Sequence, residues 1–220
     1  MKGFQVYGVV GSPFVRSVLL GLEEKRASYA LMPMAPGELK AERHLRRHPF
    51  GRVPAFEHDG FELYETQAIL RYLDRILPEP ALTPDDPRAA ARMDQLIGIS
   101  DWYMFGDVTR TIGFERIIRP SFLGQPTDEL ACAAAEPKAK VCVDEIARLL
   151  GNGPYMTGAA VSLADLMLAP QFEYLSITPE GGRLLAPHAE LRSWLERMQA
   201  RDSMQATTLE RLARRFSRAA

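Results

Sequence analysis

Phe50-Gly51-Arg52-Val53-Pro54-Ala55-Phe56, then Asp59-Gly60, then Tyr64-Glu65-Thr66-Gln67-Ala68-Ile69-Leu70 is the stretch whose changing period decides the fold. Val53 to Phe56 is short and apolar, Asp59-Gly60 is a strong two-residue hairpin signal, and Phe61 and Leu63 alternate with Glu62 and Tyr64. The segment therefore predicts strand, hairpin, strand. From Ile69 the period becomes helical, with Ile69, Leu70, Leu73, Ile76 and Leu77 on one stripe and Glu65-Thr66 supplying polar residues where the helix begins. Pro54 is the odd residue, because proline cannot donate to a sheet ladder. One solution is a cis Val53-Pro54 bond that turns the Val53 backbone outward to pair with an extended peptide, although only about 5–6% of X-Pro bonds are cis.

At the helix start, Glu65 and Thr66 sit beside unpaired N–H groups at the positive end of the dipole. A carboxylate can take the Thr66 N–H and hydroxyl there while Glu65 holds an ammonium group. Taken alone, the local pattern favours Thr66 as only an N-cap and Glu65 as only a favourable first-turn charge.

Upstream, Phe4 and Val6 alternate with Gln5 and Tyr7 as a first strand, Gly8 to Gly11 turns, and Ser12-Pro13 opens a helix whose buried stripe is Val15, Val18, Leu19 and Leu22. Tyr29 to Met34 reads as a second strand, parallel to the first because a helix joins them. Ser12 caps the helix with its oxygen and still has a hydrogen to donate. Ser17 lies inside the helix rather than at its mouth. Arg16 and Arg52 can meet an anion, but lone arginines are usually solvated or structurally paired. Of the two, Arg52 is better placed, next to Val53.

Downstream, Pro78, Pro80, Pro84 and Pro87 with Asp85 and Asp86 mark a linker between a domain over residues 1–80 and one over residues 88–220. Beyond the linker Ala89 to Ile118, Asp128 to Leu150, Leu163 to Tyr174 and Leu191 to Ala200 all favour helix, giving a bundle. Ser162 with Asp165 makes a capping box, with Val161 and Leu166 as its staple, which points to folding rather than catalysis.

The 220 residues suit two small domains, and a formal net charge of −1 with a pI near 6.4 gives no bulk drive toward nucleic acid or an anionic membrane. No charged-then-apolar leader and no run of 18 or more apolar residues occurs, so the expectation is a soluble, cytoplasmic protein without membrane partners. Cys132 and Cys142 are too far apart along one helix for a disulfide and read as reduced, buried thiols. With no cysteine in the first domain, thiol-disulfide exchange lacks a nucleophile there. His44, His48, His58 and His188 lack metal-ligand spacing. Arg211, Arg214, Arg215 and Arg218 form a basic helix end.

Ser12, Val53-Pro54 and Glu65-Thr66, in this order, resemble the cytosolic glutathione transferases of the serine type, closest to phi-like classes, and the resemblance covers nearly the whole chain. In that family a valine-cis-proline and a later Glu-Ser pair hold the tripeptide; Thr66 stands for the serine and keeps the hydroxyl. The spacing from Tyr7-Gly8 to Ser12 and Arg16 is similar to the phi pattern, and Ser12-Pro13-Phe14 to the tau pattern. The phi pattern also carries a His-Lys pair before Asn-Pro-Phe; here Leu39-Lys40 and His48-Pro49-Phe50 stand in those places, leaving Lys40 without the histidine.

The resemblance implies an α/β thioredoxin-like N-terminal domain with a mixed four-stranded sheet and an all-α C-terminal bundle. Ser12 would be the catalytic residue, and Ser12, Lys40, Arg52, Val53, Pro54, Glu65 and Thr66 would bind glutathione. Phe14, Phe105 and Phe114 would meet a hydrophobic electrophile between the domains. The reaction implied is attack of the glutathione thiolate on an electrophilic carbon or a peroxide oxygen, as in detoxification, with glutathione a cosubstrate and no metal or prosthetic group. A homodimer is implied, the first domain's later strands and helix meeting the partner's long helices. Two rivals share the fold: a binding protein that conjugates nothing, and an isomerase of dienoic acids like the zeta class. That class has Ser-Ser-Cys where this chain has Gly11-Ser12-Pro13.

Overall fold

The computed structural model describes residues 3–217, the side chains of 215–217 excepted, so the Arg215 side chain and Arg218 lie outside the described residues. The chain divides into two compact units. One comprises the residues up to Leu82 together with those from Gln199 onward, and the other is Thr83–Met198. The sequence assigned everything after residue 88 to the helical domain; the structure instead groups the last segment with the first unit.

In the first unit β1 (Phe4–Gly8), α1 (Pro13–Glu24), β2 (Tyr29–Pro33), a 3-10 turn (Pro36–Lys40), α2 (Glu42–Leu45), β3 (Ala55–His58), β4 (Phe61–Tyr64) and α3 (Thr66–Ile76) follow in order. The sheet order is β2-β1-β3-β4, with β1 and β2 parallel and the other two pairings antiparallel. This is the mixed four-stranded, thioredoxin-like sheet that the sequence predicts. The paired strand opens at Ala55, two residues later than the apolar run suggests, because Pro54 has no N–H for the ladder and stands just outside it.

Alternation sends Val6, Leu31 and Phe56 to one face, where they meet Val15, Val18, Leu19 and Leu22 of α1 and Ile69 and Leu73 of α3. Each such burial is worth about 1.5–3 kcal/mol, so α1 and the turn at its head are held firmly against the sheet. From Gln199 onward the chain returns to this unit as α10 (Asp202–Ala206) and α11 (Leu209–Ser217), and Leu212 of α11 joins the same core. Lys25, buried, donates to Asp74 Oδ1 at 2.6 Å and to the Pro80 carbonyl at 2.5 Å, while Leu82 N–H donates to Asp74 at 2.9 Å. These bonds anchor the first part of the proline-rich linker to the first unit, which therefore ends at Leu82.

The second unit contains α4 (Pro87–Ile99), a π-helical stretch (Ser100–Ile118), α5 (Arg119–Leu123), α6 (Glu129–Leu150), α7 (Leu163–Ser176), α8 (Pro179–Leu185) and most of α9 (Ala189–Gln199). The sequence reads Ala89 to Ile118 as a single helix, whereas its second half is wound wider. Arg119 N–H bonds Phe114 C=O, five residues back, and Ser100, Met104, Val108 and Ile112 are buried at intervals of four. α7 is buried without interruption from Leu163 to Phe172, as expected of a helix at the centre of a bundle. Its start is tied as the Ser162/Asp165 spacing predicts. Asp165 Oδ2 accepts from Ser162 N–H and hydroxyl, and Oδ1 accepts from Met156 N–H and Trp194 Nε1–H, at 2.7–2.9 Å. Cys132 and Cys142 both lie in α6 as buried free thiols, and burial pushes Cys142 up to about 12. Among the described residues no helix is long and apolar enough to cross a membrane.

Candidate functional site

The strand register gathers the candidate residues of the first unit at one end of the sheet. Tyr7 of β1 pairs with Ala55 of β3, and Ala55 pairs with Tyr64 of β4. The end of β1 therefore lies beside the start of β3 and the end of β4. From that edge the chain runs into the Ser12 turn, arrives through Val53-Pro54, and leaves through Glu65-Thr66. β2 ends there too, Pro33 opposite Gly8, and continues toward Lys40.

Ser12 sits on a tight turn: its N–H donates to Val9 C=O at 3.0 Å, and Gly11 takes φ 98°, which a side chain would resist. It is the N-cap of α1, with Pro13 next to it, and its Oγ accepts from Val15 N–H at 3.4 Å. Among the described residues its hydroxyl hydrogen meets no acceptor. Two nearby hydroxyls are committed. Ser17, fully buried, donates to Pro13 C=O at 3.0 Å, and Tyr7 OH lies 2.9 Å from Gln5 Oε1 and 3.2 Å from Glu57 Oε2. Burial raises the Tyr7 phenol above its ordinary range.

The Val53–Pro54 peptide is cis, Pro54 is buried, Val53 is half-buried and the Arg52 side chain is exposed. The 3-10 turn reaches the same segment. A Cβ on Gly51, which has φ 61°, would come within 2.9 Å of Leu39 O and 3.0 Å of Lys40 Nζ, so Lys40 is packed against the residue before Arg52. Glu65 is the N-cap of α3 and Thr66 its first residue, a shift of one from the sequence reading of Thr66 as the cap. Glu65 takes φ 73°, ψ 114° without capping the helix through its side chain. A non-glycine residue in that region costs about 1–3 kcal/mol and persists where surroundings impose it, commonly at ligand sites. Its carboxylate is exposed, and Thr66 beside it is buried.

Arg16 does not join this group. Its guanidinium is buried and donates from Nε to Thr207 Oγ1 at 3.2 Å and from Nη2 to Met204 C=O at 3.1 Å, tying α1 to α10 and the residue after it. Phe14 is half-buried on α1 in the first unit, and Phe105 and Phe114 are half-buried on the π-helical stretch of the second.

Two histidines have contacts here that the sequence reading did not assign. His44 Nε2 lies 2.7 Å from Arg52 C=O, and the His48 ring packs on Tyr64 with centroids 4.8 Å apart. Their signals in the sequence are an i, i+4 spacing and, for His48, its place before Pro49-Phe50 where the phi pattern has asparagine. Burial, chiefly, and then the charges of His44 and Arg52 lower His48 to about 4.

The family model for the N-terminal domain of glutathione S-transferases matches residues 2–75, and that for their C-terminal domain matches residues 133–197. A glutathione S-transferase of Hyoscyamus muticus is 33% identical over 79% of this chain and 82% of its own length. The chain belongs to the glutathione S-transferase family. A probable glutathione S-transferase of Oryza sativa subsp. japonica, of the phi-class group designated F, is 31% identical over 93% of this chain and 94% of its own. The crystal structure of glutathione transferase F2 from Populus trichocarpa superposes with TM-score 0.83 at 26% identity, covering 96% of this chain and 99% of that one. In this member of the glutathione S-transferase family the sheet end at Tyr7, Ala55 and Tyr64 adjoins, along the chain, the Ser12 turn, Val53-Pro54 and Glu65-Thr66.

Proposed function

We propose that the protein conjugates the glutathione thiolate to hydrophobic electrophiles, with Ser12 donating its hydroxyl hydrogen to the sulfur. The observation that carries this reading is the register that brings the Ser12 turn, Val53-Pro54 and Glu65-Thr66 to one end of the sheet. Glutathione lies extended along Val53, its ammonium group at Glu65 and a carboxylate at Thr66 N–H and hydroxyl, with Lys40 and Arg52 supplying positive charge at the other end. A free thiol near pKa 8.5 is only a few per cent ionised at pH 7, so a donor at a helix N-terminus raises the reactive fraction. The thiolate then attacks the electrophilic carbon, the S–C bond forms, and the leaving group departs with its electron pair. In the first unit, the half-buried Phe14 on α1 offers apolar surface to the electrophile. Peroxides belong in the same substrate panel, and the working form is a cytoplasmic homodimer serving detoxification.

Ser12→Ala tests the assignment. It raises the pKa of bound glutathione by roughly 1–2 units and lowers conjugation at neutral pH at least tenfold, at about 1.36 kcal/mol per unit. Glutathione affinity changes little, and activity recovers in part as pH approaches the raised pKa, whereas loss of the cap alone costs stability at every pH. A folded Ser12→Ala protein with an unshifted thiolate titration and normal turnover refutes the role of Ser12. A wild-type protein that binds glutathione but turns over no electrophile or peroxide in a broad panel favours the non-catalytic binding role.

A further inference from the structure

We infer that His44 and His48 form a clamp that sets the spacing between the two backbone segments of the proposed glutathione site, with His44 the positioning residue for Val53. The two lie one helical turn apart, His48 N–H donating to His44 C=O at 2.8 Å, with ring centroids separated by 6.1 Å. Both are almost fully buried, at 1% and 2% exposure. A carbonyl can only accept, so His44 Nε2 carries a hydrogen and donates it to Arg52 C=O across 2.7 Å. That carbonyl belongs to the peptide joining Arg52 to Val53, so the bond fixes the plane in which the Val53 N–H lies.

His48 reaches the other segment. Its ring rests on Tyr64, the residue before Glu65, and its carbonyl accepts from Gly51 N–H at 2.8 Å, closing the turn that leads into Arg52. The Nδ1 atoms of both rings are buried without a hydrogen-bond partner among the described residues. An unpaired buried nitrogen costs free energy that a hydrocarbon ring in either place would avoid, so packing alone gives no reason for two imidazoles. The Arg52 carbonyl bond gives His44 its reason, and the His48 ring against Tyr64 lets the turn that follows the same short helix hold the Glu65 segment.

This inference rests on the proposed placement of glutathione at Val53 and Glu65, and the experiment separates the two. Wild-type protein, His44→Ala and His44→Gln are compared in steady-state conjugation and in glutathione calorimetry. His44→Ala is expected to raise KM and Kd for glutathione about tenfold while kcat at saturation and the pKa of the bound thiol change less than twofold, since Ser12 is untouched. His44→Gln, whose amide can donate to the same carbonyl, recovers most of the affinity, which a purely space-filling role would not produce. Should His44→Ala not fold, the imidazole ¹⁵N spectrum of the wild type decides: His44 must be in the Nε2–H form and its Nε2 signal must move on addition of glutathione. Unchanged KM in folded His44→Ala, no recovery in His44→Gln, or an unmoved His44 signal at saturating glutathione overturns the clamp. Absence of glutathione binding to the wild type overturns the placement of the site instead.

Discussion

At the scale of single residues, His48 makes the first unit sensitive to acid. Its folded pKa of about 4 lies below the ordinary 6.5, so as pH falls through 6.5 the unfolded chain takes up a proton that the folded chain refuses. Stability is unaffected above that pH, falls between roughly 6.5 and 4, and has no further loss from this group below 4. The full span is roughly 3 kcal/mol at 1.36 kcal/mol per unit. Urea unfolding at steps from pH 7 to 4.5 should show a steeper decline for the wild type than for His48→Asn, and parallel curves would refute it. Ser12, Val53-Pro54 and Glu65-Thr66 were legible in the sequence because each combines a local signal, a cap or a ladder-breaking proline, with its neighbours in the chain. His44 was not, since its partner is the Arg52 carbonyl eight residues away and nothing in the intervening Leu45 to Gly51 announces that the His44 ring is buried against it. Arg16 is structurally paired, as lone arginines usually are, but its partners lie nearly two hundred positions later and could not be named from the sequence.

Among the elements, α7 depends most on a single side chain. Asp165 receives bonds from four donors, and its replacement by alanine strands Met156 N–H, Ser162 N–H and Trp194 Nε1–H in the interior. At about 1–3 kcal/mol for each stranded group, Asp165→Ala should lose roughly 3 kcal/mol or more of the ~5–15 typical of a domain. Asp165→Asn, which keeps one acceptor oxygen, should lose less. Denaturant midpoints of the two variants measure the ordering, and equal midpoints would show that the bonds contribute little. The capping box was readable from Ser162 and Asp165, but the Trp194 and Met156 contacts were not, because they arise only when α9 and the preceding loop pack. The same limit explains the π-helical stretch. A spacing of four satisfies a 3.6-residue pattern over two or three turns, and the wider winding of Ser100–Ile118 emerges only over the whole run.

For the whole molecule, homodimerisation is the expectation with the simplest test: sedimentation at micromolar concentration should give about twice 24.6 kDa, and a clean monomer would oppose it. The two-part division was visible in the proline-rich linker, yet the linker hid the return of the chain to its starting unit. Glu24, which accepts from Arg201 at 2.7 Å and Ser203 at 2.6 Å, gives no sign in its own neighbourhood that such partners exist. That return has a temporal meaning during synthesis. The sheet, α1 and α3 leave the ribosome early, but Leu212, Thr207 and Arg201 follow only after all of Thr83–Met198 has been made, roughly 6–25 s later at ~5–20 residues per second. Until then the Leu212 site on the core of the first unit is uncovered, Arg16 lacks its Thr207 and Met204 acceptors, and Glu24 lacks its Arg201 and Ser203 donors. Chains stalled with residue 198 just outside the exit tunnel should be cleaved by protease within this unit far faster than chains stalled after residue 217 has emerged; equal resistance would mean that the early residues fold to completion alone.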